Sequence, residues 1–278
     1  MAHELARDHL RVRPPGVADG VRTAAVWTAV AEVAARRSAA LGRPLRVIDL
    51  GGGTGGLAVP LAAEGHEVLV VDPSPDALAA LRRRAADVGV SEHVTARQGD
   101  AETLAEVLAH DDGPVGRYAE AGVDLVCCHG TLEVVEDLDA AVAGIAAVLA
   151  GDGVLSLVTA QRLAAVLARA LAGRIDQAAA LLANPDGRWG EGDPIPRRFD
   201  PATLTALLAR HGLEVIDLHG VRVVSDLVPS TRLATEQDRR AVLDLEEALA
   251  AHPDAEVLGR LGAAVHILAG RARPVRPG

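Results

Sequence analysis

The 278-residue chain contains no lysine, so all 28 of its basic residues are arginine. This absence excludes every mechanism that requires a catalytic lysine. It also excludes the phosphate-binding P-loop, whose motif ends in lysine followed by serine or threonine. No apolar run approaches the ~20 residues of a membrane span, and the N-terminus lacks a secretory pattern. We therefore expect a cytoplasmic protein with no membrane partner.

Aromatic residues and cysteines are also scarce. The only aromatics are Trp27, Tyr118, Trp189 and Phe199, so alanine, valine and leucine must build the core. The adjacent pair 127–128 holds the only cysteines, and neighbours on a strand point to opposite faces, which predicts buried thiols rather than a redox or metal site. The net charge of −10 disfavours broad, non-specific nucleic-acid binding, although a local arginine patch is compatible with it.

Strand and helix patterns alternate along most of the chain and predict the α/β class with a doubly wound, mostly parallel sheet. After a helix in the N-terminal segment 1–44, strands are predicted at 45–50, 66–72, 93–98, 123–129 and 153–160. The intervening helices are predicted at 56–64, 75–89, 102–110 and 137–149. Later elements are helical 161–183, a Pro/Gly-rich loop 184–199, helix 200–212, strand 213–224, helix 236–251 and strand 263–270. We interpret residues 1–278 as one domain with a helical and loop insert at 161–199.

A glycine-rich loop follows the first predicted strand in the segment "VIDLGGGTGGLAV". Its Gly51, Gly53 and Gly56 fit the dinucleotide-binding fingerprint, and Asp72 ends the next strand about 20 residues on. Asp49, however, lies two residues before the loop, where a carboxylate would repel a pyrophosphate and would suit a ligand with a positive amino group. The residues therefore favour an adenosine compound without phosphates, while a dinucleotide stays possible.

The series Asp49-x-Gly51-x-Gly53-x-Gly55, followed by Asp72 and Asp100, resembles the motifs of class I S-adenosylmethionine-dependent methyltransferases. The resemblance implies a seven-stranded sheet whose last strand is antiparallel, with S-adenosylmethionine as the cofactor. It also implies that the glycine loop lies against the methionine part and ribose, that Asp72 binds the ribose hydroxyls, and that Asp100 lies near the adenine.

Over residues 16–270 the chain is similar to the bacterial tRNA methyltransferases that esterify a carboxylate on the wobble uridine. The segments "CCHGTLEVVEDL" and "GVRVVSDL" carry this narrower resemblance. It implies that Arg22 reaches the cofactor's carboxylate and that His129 lies beside the cofactor. The predicted cofactor-binding set is Arg22, Asp49, Gly51, Gly52, Gly53, Asp72, Pro73, Asp100, Ala101, Glu102 and His129.

His129 and Arg222 are the candidate catalytic residues. Arg222 lies within a predicted apolar strand, where a charge needs a partner: either a substrate carboxylate or a structural acid, Asp217 or Asp226. A substrate carboxylate would be held by Arg222 together with Arg197 or Arg198 from the loop. His129 would serve as a base for a hydroxyl or amine acceptor. The methyl acceptor is predicted to be tRNA or a small molecule, with the protein acting as a monomer or homodimer. Two departures from the relatives, Ser225 and Leu227, leave a non-catalytic cofactor-binding protein as a third hypothesis.

Overall fold

The computed structural model describes residues 17–109, 116–228, 231 and 233–272, except the side chains of 17–25, 116, 119 and 120. Its first half contains α1 (Val17–Leu41), β1 (Arg46–Leu50), α2 (Ala58–Ala63), β2 (Glu67–Asp72), α3 (Pro75–Val88), β3 (Val94–Gln98), α4 (Leu104–Ala109), α5 (Gly116–Ala121) and β4 (Val123–His129). Its second half contains α6 (Leu138–Val148), β5 (Leu149–Ala160), α7 (Arg162–Leu171), α8 (Ile175–Ala183), α9 (Pro201–Arg210), β6 (Leu213–Val221), α10 (Glu236–Ala250), α11 (Ala255–Gly259) and β7 (Ala264–Arg271).

The seven strands form one sheet in the order β3-β2-β1-β4-β5-β7-β6. The first five strands are parallel, whereas β7 runs antiparallel to both β5 and β6. The predicted fold class, a doubly wound and mostly parallel sheet with an antiparallel last strand, is confirmed. The chain reverses its winding direction between β1 and β4, and ligands bind in open α/β sheets at such a switch point.

Both faces of the sheet are covered, so its central strands are almost continuously apolar. Two hydrophobic clusters lie on opposite faces. Cys128 belongs to one cluster and Cys127 to the other, as alternation along β4 predicts. Both thiols are free and fully buried. The scarce aromatics also contribute, since Tyr118 and Phe199 pack within the first cluster.

The structure corrects several predicted boundaries in the second half of the chain; β5, for example, begins at Leu149 rather than at residue 153. Helix 161–183 is divided into α7 and α8, because Gly173 adopts a left-handed conformation with φ 72° that ends the first helix. Strand 213–224 ends at Val221, so Arg222 does not lie within a strand. The amides of 223–225 donate to the carboxylate of Glu246 in α10 rather than to a neighbouring strand.

The amino edge of the sheet is held by a buried carboxylate. Asp124, at the start of β4, accepts two hydrogen bonds from the Arg43 guanidinium at 2.8 and 2.9 Å. It also accepts the Arg46 amide at 2.8 Å. Burial of Asp124 tends to raise its pKa, but the hydrogen bonds from Arg43 and Arg46 outweigh it and lower the pKa. This cluster joins the start of β4 to the segment that enters β1.

Candidate active site

The glycine loop leaves the carboxyl end of β1 at the switch point of the sheet. Gly51, Gly53 and Gly55 all have positive φ angles, of 69°, 54° and 78°. A Cβ on Gly51 would collide with the Thr131 hydroxyl, and one on Gly55 would collide with Leu81. Glycine is therefore required here both by the backbone conformation and by the close approach of neighbouring elements.

Asp72, the last residue of β2, connects this strand to the glycine loop. Its Oδ2 accepts the Gly53 N–H at 2.9 Å, and its Oδ1 accepts the Ser74 N–H at 2.8 Å. Ser74 in turn caps α3, and the exposed Pro73 lies between the two. Two backbone amides thus fix the carboxylate, and its remaining lone pairs stay available for a ligand.

Asp49 lies beneath the loop as a buried acid. It is only 3% exposed, and its Oδ2 has no hydrogen-bond partner among the described residues. A Cβ on Gly52 would collide with this carboxylate, so only glycine lets the loop cover it. Burial, reinforced by the negative charge of Asp72, raises the pKa of Asp49 to about 7.

The predicted adenine-side residues form the turn after β3. Asp100 Oδ1 accepts the amides of Glu102 and Thr103 and the Thr103 hydroxyl, which organises the turn that leads into α4. Glu102 Oε1 accepts the Asp137 amide at 2.7 Å and so ties this turn to the segment after β4. Ala101 is completely buried between them.

A cavity of about 620 Å³ opens on the side of the glycine loop that faces away from Asp72 and the 100–102 turn. It lies over the carboxyl ends of β4 and β5, where Thr54 of the loop, His129 and Ala160 line it. α1 contributes Trp27, and the segment after β6 contributes Arg222. Its volume falls within the range of about 300–1,000 Å³ that is usual for ligand pockets. The structure therefore brings His129 and Arg222 to one cavity, whereas Asp72 and the 100–102 turn lie over β2 and β3.

His129 ends β4, and its Nε2 lies 2.9 Å from Oγ of Ser156 in β5. Burial lowers the pKa of His129 to about 4, and the hydrogen bond to Ser156 opposes this only weakly. The imidazole is therefore neutral near pH 7, and a neutral imidazole can accept a hydrogen bond or a proton.

Arg222 reaches the cavity from the turn after β6, with φ 60°, the one positive φ of a non-glycine residue among those described. Its Nε lies 3.6 Å from Oδ2 of Asp226 and forms no hydrogen bond with the described residues. Of the two structural acids considered from the sequence, Asp226 is the one near it; Asp217 lies beside His219 instead. The guanidinium is thus paired loosely and is about one-third exposed.

Glu133 also lines the cavity, and the sequence motifs predict no role for it. Its Oε1 accepts the Ala160 amide at 2.7 Å, and its Oε2 is buried without a partner among the described residues. Burial raises the pKa of Glu133, while the Ala160 amide and the positive charge of Arg222 act in the opposite direction. The only sequence signal was its place in "CHGTLE", directly after β4.

The loop 184–199 covers the cavity with Pro194, Ile195 and Pro196 rather than with its aromatic residues. Phe199 packs in the core, and Trp189 stacks under the Arg169 guanidinium at 4.9 Å. The loop is organised by a buried ion pair in which Nη1 and Nη2 of Arg198 donate to Asp193 at 2.7 and 3.0 Å. Arg198 is therefore committed to the loop itself rather than to the cavity.

Arg197 is likewise committed, since its Nη1 donates to the Val135 carbonyl and its Nε contacts Asp186. Arg22 lies in α1, but its side chain is outside the described part of the structure. Among the described residues no group of three or more His, Cys, Asp or Glu side chains could hold a metal ion. No described helix has the length and apolar character needed to cross a membrane.

Comparison with known proteins gives matches over most of the chain. A family model for a methyltransferase domain matches residues 24–218. The chain is 30% identical over 206 residues to the tRNA 5-carboxymethoxyuridine methyltransferase of Escherichia coli K12, and the alignment covers 74% of this chain and 72% of that protein. It is also 27% identical over 194 residues to the ubiquinone biosynthesis O-methyltransferase of Azorhizobium caulinodans, covering 70% and 68% of the two chains.

Among solved structures, the fold is similar to that of the magnesium protoporphyrin IX methyltransferase from Synechocystis PCC 6803. The TM-score is 0.54 and the superposition covers 91% of this chain and 86% of the other. At 18% sequence identity this likeness concerns the fold alone.

Proposed function

Since the chain belongs to the S-adenosylmethionine-dependent methyltransferase family, we propose that its acceptor is a carboxylate on a modified wobble uridine of tRNA, held in the cavity beside Arg222. The family assignment confirms the predicted enzyme class and cofactor. The identity of the acceptor and the role of each site residue are our proposals.

The residues around the glycine loop fit the cofactor. Asp49 Oδ2 has no hydrogen-bond partner among the described residues, and a positive ligand group above the loop would favour ionisation of this carboxyl. Asp72 has lone pairs left for two hydroxyls. We assign the ribose to Asp72, the adenine to the 100–102 turn and the methionine part to Gly51–Gly53, next to His129. When bound, the cofactor supplies an activated methyl group on a sulfonium, so that catalysis depends mainly on placing the acceptor in line.

Arg222 is the observation that carries the acceptor proposal. Arg222 lines the cavity, and its Nε lies 3.6 Å from Asp226 and has no hydrogen bond with the described residues. A guanidinium held this loosely is suited to a bidentate contact with a carboxylate. A carboxylate is ionised near pH 7 and needs no base. The E. coli relative is named for methylating 5-carboxymethoxyuridine, a nucleoside that bears such a carboxylate.

A second candidate is a small molecule with a hydroxyl group. His129 favours it, because its neutral imidazole at the cavity wall can accept a hydrogen bond from the acceptor hydroxyl. The relative from Azorhizobium, an O-methyltransferase of ubiquinone biosynthesis by name, fits an acceptor of this class.

The test is to incubate the purified protein with methyl-labelled S-adenosylmethionine and tRNA from a strain that lacks the gene. We expect an alkali-labile methyl ester in the nucleosides detected by mass spectrometry. Arg222→Ala should remove this product, whereas Arg240→Ala, in an exposed pair with Asp244, should not. Unmethylated tRNA together with a methylated hydroxyl metabolite would establish the second candidate. Cofactor binding without turnover on either class would favour a non-catalytic protein.

A further inference from the structure

A line of polar side chains crosses the apolar sheet from the cavity to its far edge. Four adjacent strands each contribute one residue: His129 from β4, Ser156 from β5, His266 from β7 and His219 from β6. Ser156 and His266 are fully buried. Buried polar groups in an apolar core are costly unless they are hydrogen-bonded. Their continuity across four strands therefore requires an explanation that core packing does not give.

The line is hydrogen-bonded throughout. Nε2 of His129 lies 2.9 Å from the Ser156 hydroxyl, which lies 2.8 Å from Nε2 of His266. Nδ1 of His266 lies 3.1 Å from Nε2 of His219. Nδ1 of His219 lies 3.5 Å from the Asp217 carboxylate, and both residues line a second cavity of about 240 Å³. The chain of hydrogen bonds thus joins the two cavities.

Only two proton arrangements satisfy such a chain. A neutral imidazole donates at one nitrogen and accepts at the other, and a hydroxyl can do both, so all the bonds must point the same way. Burial keeps the imidazoles of His129 and His266 neutral, since it lowers the pKa of His129 to about 4 and, with the charges of His129 and His219, that of His266 to about 2. The charge at the outer end decides between the two directions.

Asp217 supplies that charge. An ionised carboxylate only accepts hydrogen bonds, so it favours the form of His219 that carries its proton on Nδ1. His219 must then accept from Nδ1 of His266, His266 must accept from Ser156, and Ser156 must accept from Nε2 of His129. The proton of His129 is therefore on Nε2, and Nδ1 keeps a lone pair on the side of the cavity that His129 lines.

We propose that Asp217, His219, His266 and Ser156 are positioning residues that fix the tautomer of His129, so that its Nδ1 presents a hydrogen-bond acceptor to the methyl-transfer cavity. The inference rests on the proposed use of this cavity. It deepens that use, because a bare Nδ1 repels a carboxylate and attracts an N–H or O–H group. The acceptor carboxylate would thus lie on the Arg222 side and a hydrogen-bond donor on the His129 side.

The test is imidazole ¹⁵N NMR of the ligand-free full chain at pH 7.5, with the ten histidines assigned by single substitutions. We expect His129 to be protonated on Nε2, and His266 and His219 on Nδ1. In Ser156→Ala the two His129 nitrogen signals should move towards the average of both tautomers. Asp217→Asn, an exposed change compatible with folding, should move them in the same direction.

Asp139→Asn is the matched control, because Asp139 bonds His211 at 2.8 Å outside the line. It should alter the His211 signals alone. Protonation of His129 on Nδ1 in the unsubstituted protein would overturn the proposal. It would also be overturned if neither Ser156→Ala nor Asp217→Asn changed the chemical shifts of the His129 nitrogens. Because no cofactor or acceptor is present, this failure is distinct from a failure of the acceptor assignment, which the tRNA assay reports.

Discussion

At the scale of single residues, the ionisation of Asp49, which lies beneath the glycine loop, changes the stability of the folded protein. Because its pKa is raised from 3.8 to about 7, the folded protein holds this proton to a higher pH than the unfolded chain does. Stability contributed by the protonated form is complete below about pH 4 and is lost as the pH rises towards 7. Above about pH 7 the ligand-free protein therefore carries a buried negative charge at Asp49, whose Oδ2 has no hydrogen-bond partner among the described residues.

Asp49→Asn should therefore stabilise the ligand-free protein at pH 8 and flatten the dependence of stability on pH between 4 and 7. One pH unit of displacement corresponds to about 1.4 kcal/mol, so the gain should reach a few kcal/mol. Urea unfolding at several pH values measures it, with the exposed Asp87→Asn as control. A loss of stability at pH 8 would show that the carboxylate is compensated in the folded state.

Arg222 combines a side chain in the cavity with an unfavourable backbone conformation. We expect Arg222→Ala and Arg222→Gly both to abolish methyl transfer while cofactor affinity, measured by calorimetry, stays within about twofold. The two variants should differ in stability by about 1 kcal/mol in favour of glycine, because only glycine adopts φ 60° without strain. Equal thermal stability of the two variants would argue against backbone strain at this turn.

At the scale of elements, the 184–199 loop is a preformed wall of the cavity. Asp193 is buried, which tends to raise its pKa, but hydrogen bonds from Arg198 and from the Trp189 and Ile195 amides lower it. The contacts of Asp193 hold the 189–198 part of the loop, which has no helix or strand.

Arg198→Met should consequently leave the Asp193 carboxylate buried and unpaired, which costs about 3–5 kcal/mol. We expect the cost to appear locally, as a large increase in amide hydrogen exchange across 184–199 with little change in β1–β4. Arg210→Met, which removes an exposed pair with Asp139, is the control. Unchanged exchange in the loop would mean that its other hydrogen bonds, such as those from Arg162 to the carbonyls of 184 and 185, are sufficient to hold it.

Sequence patterns placed elements well where local signals decide them. β4 was predicted at its observed bounds, and Pro75 marked the start of α3. The predicted end of β6 is wrong because it depends on a contact that is distant in sequence. Val223 and Val224 have the side chains of strand residues, but their amides donate to Glu246, some twenty residues later. The line from His129 to His219 was equally hidden, because it depends on the antiparallel register of β7.

At the scale of the whole molecule, the hydrogen-bonded Asp124 and the proposed ligand site lie at opposite edges of the sheet. Asp124 holds the amino edge, and its lowered pKa means that the stability it contributes above the unfolded pKa is lost as the pH falls. Asp72, the glycine loop and the cavity occupy the carboxyl edge.

Asp124→Asn should lower the free energy of unfolding at pH 7 by about 1.5–3 kcal/mol, because it weakens charge-assisted hydrogen bonds between the buried Asp124 and the partly exposed Arg43. It should leave cofactor affinity unchanged. Asp72→Ala should abolish cofactor binding in calorimetry, whereas the exposed Asp76→Ala should not. Micromolar binding retained by Asp72→Ala would contradict the assignment of the ribose, and weakened binding in Asp124→Asn would contradict the separation of the edges.

The position of Trp27 in the cavity wall gives the protein a built-in optical reporter. The chain has two tryptophans. The other one, Trp189 of the 184–199 loop, stacks under Arg169 of α7. A Trp189→Phe variant would therefore emit from the cavity alone. Because indole emission responds to local polarity and contact, unlabelled compounds could be screened by fluorescence titration, and the acceptor could be sought before any turnover is detected.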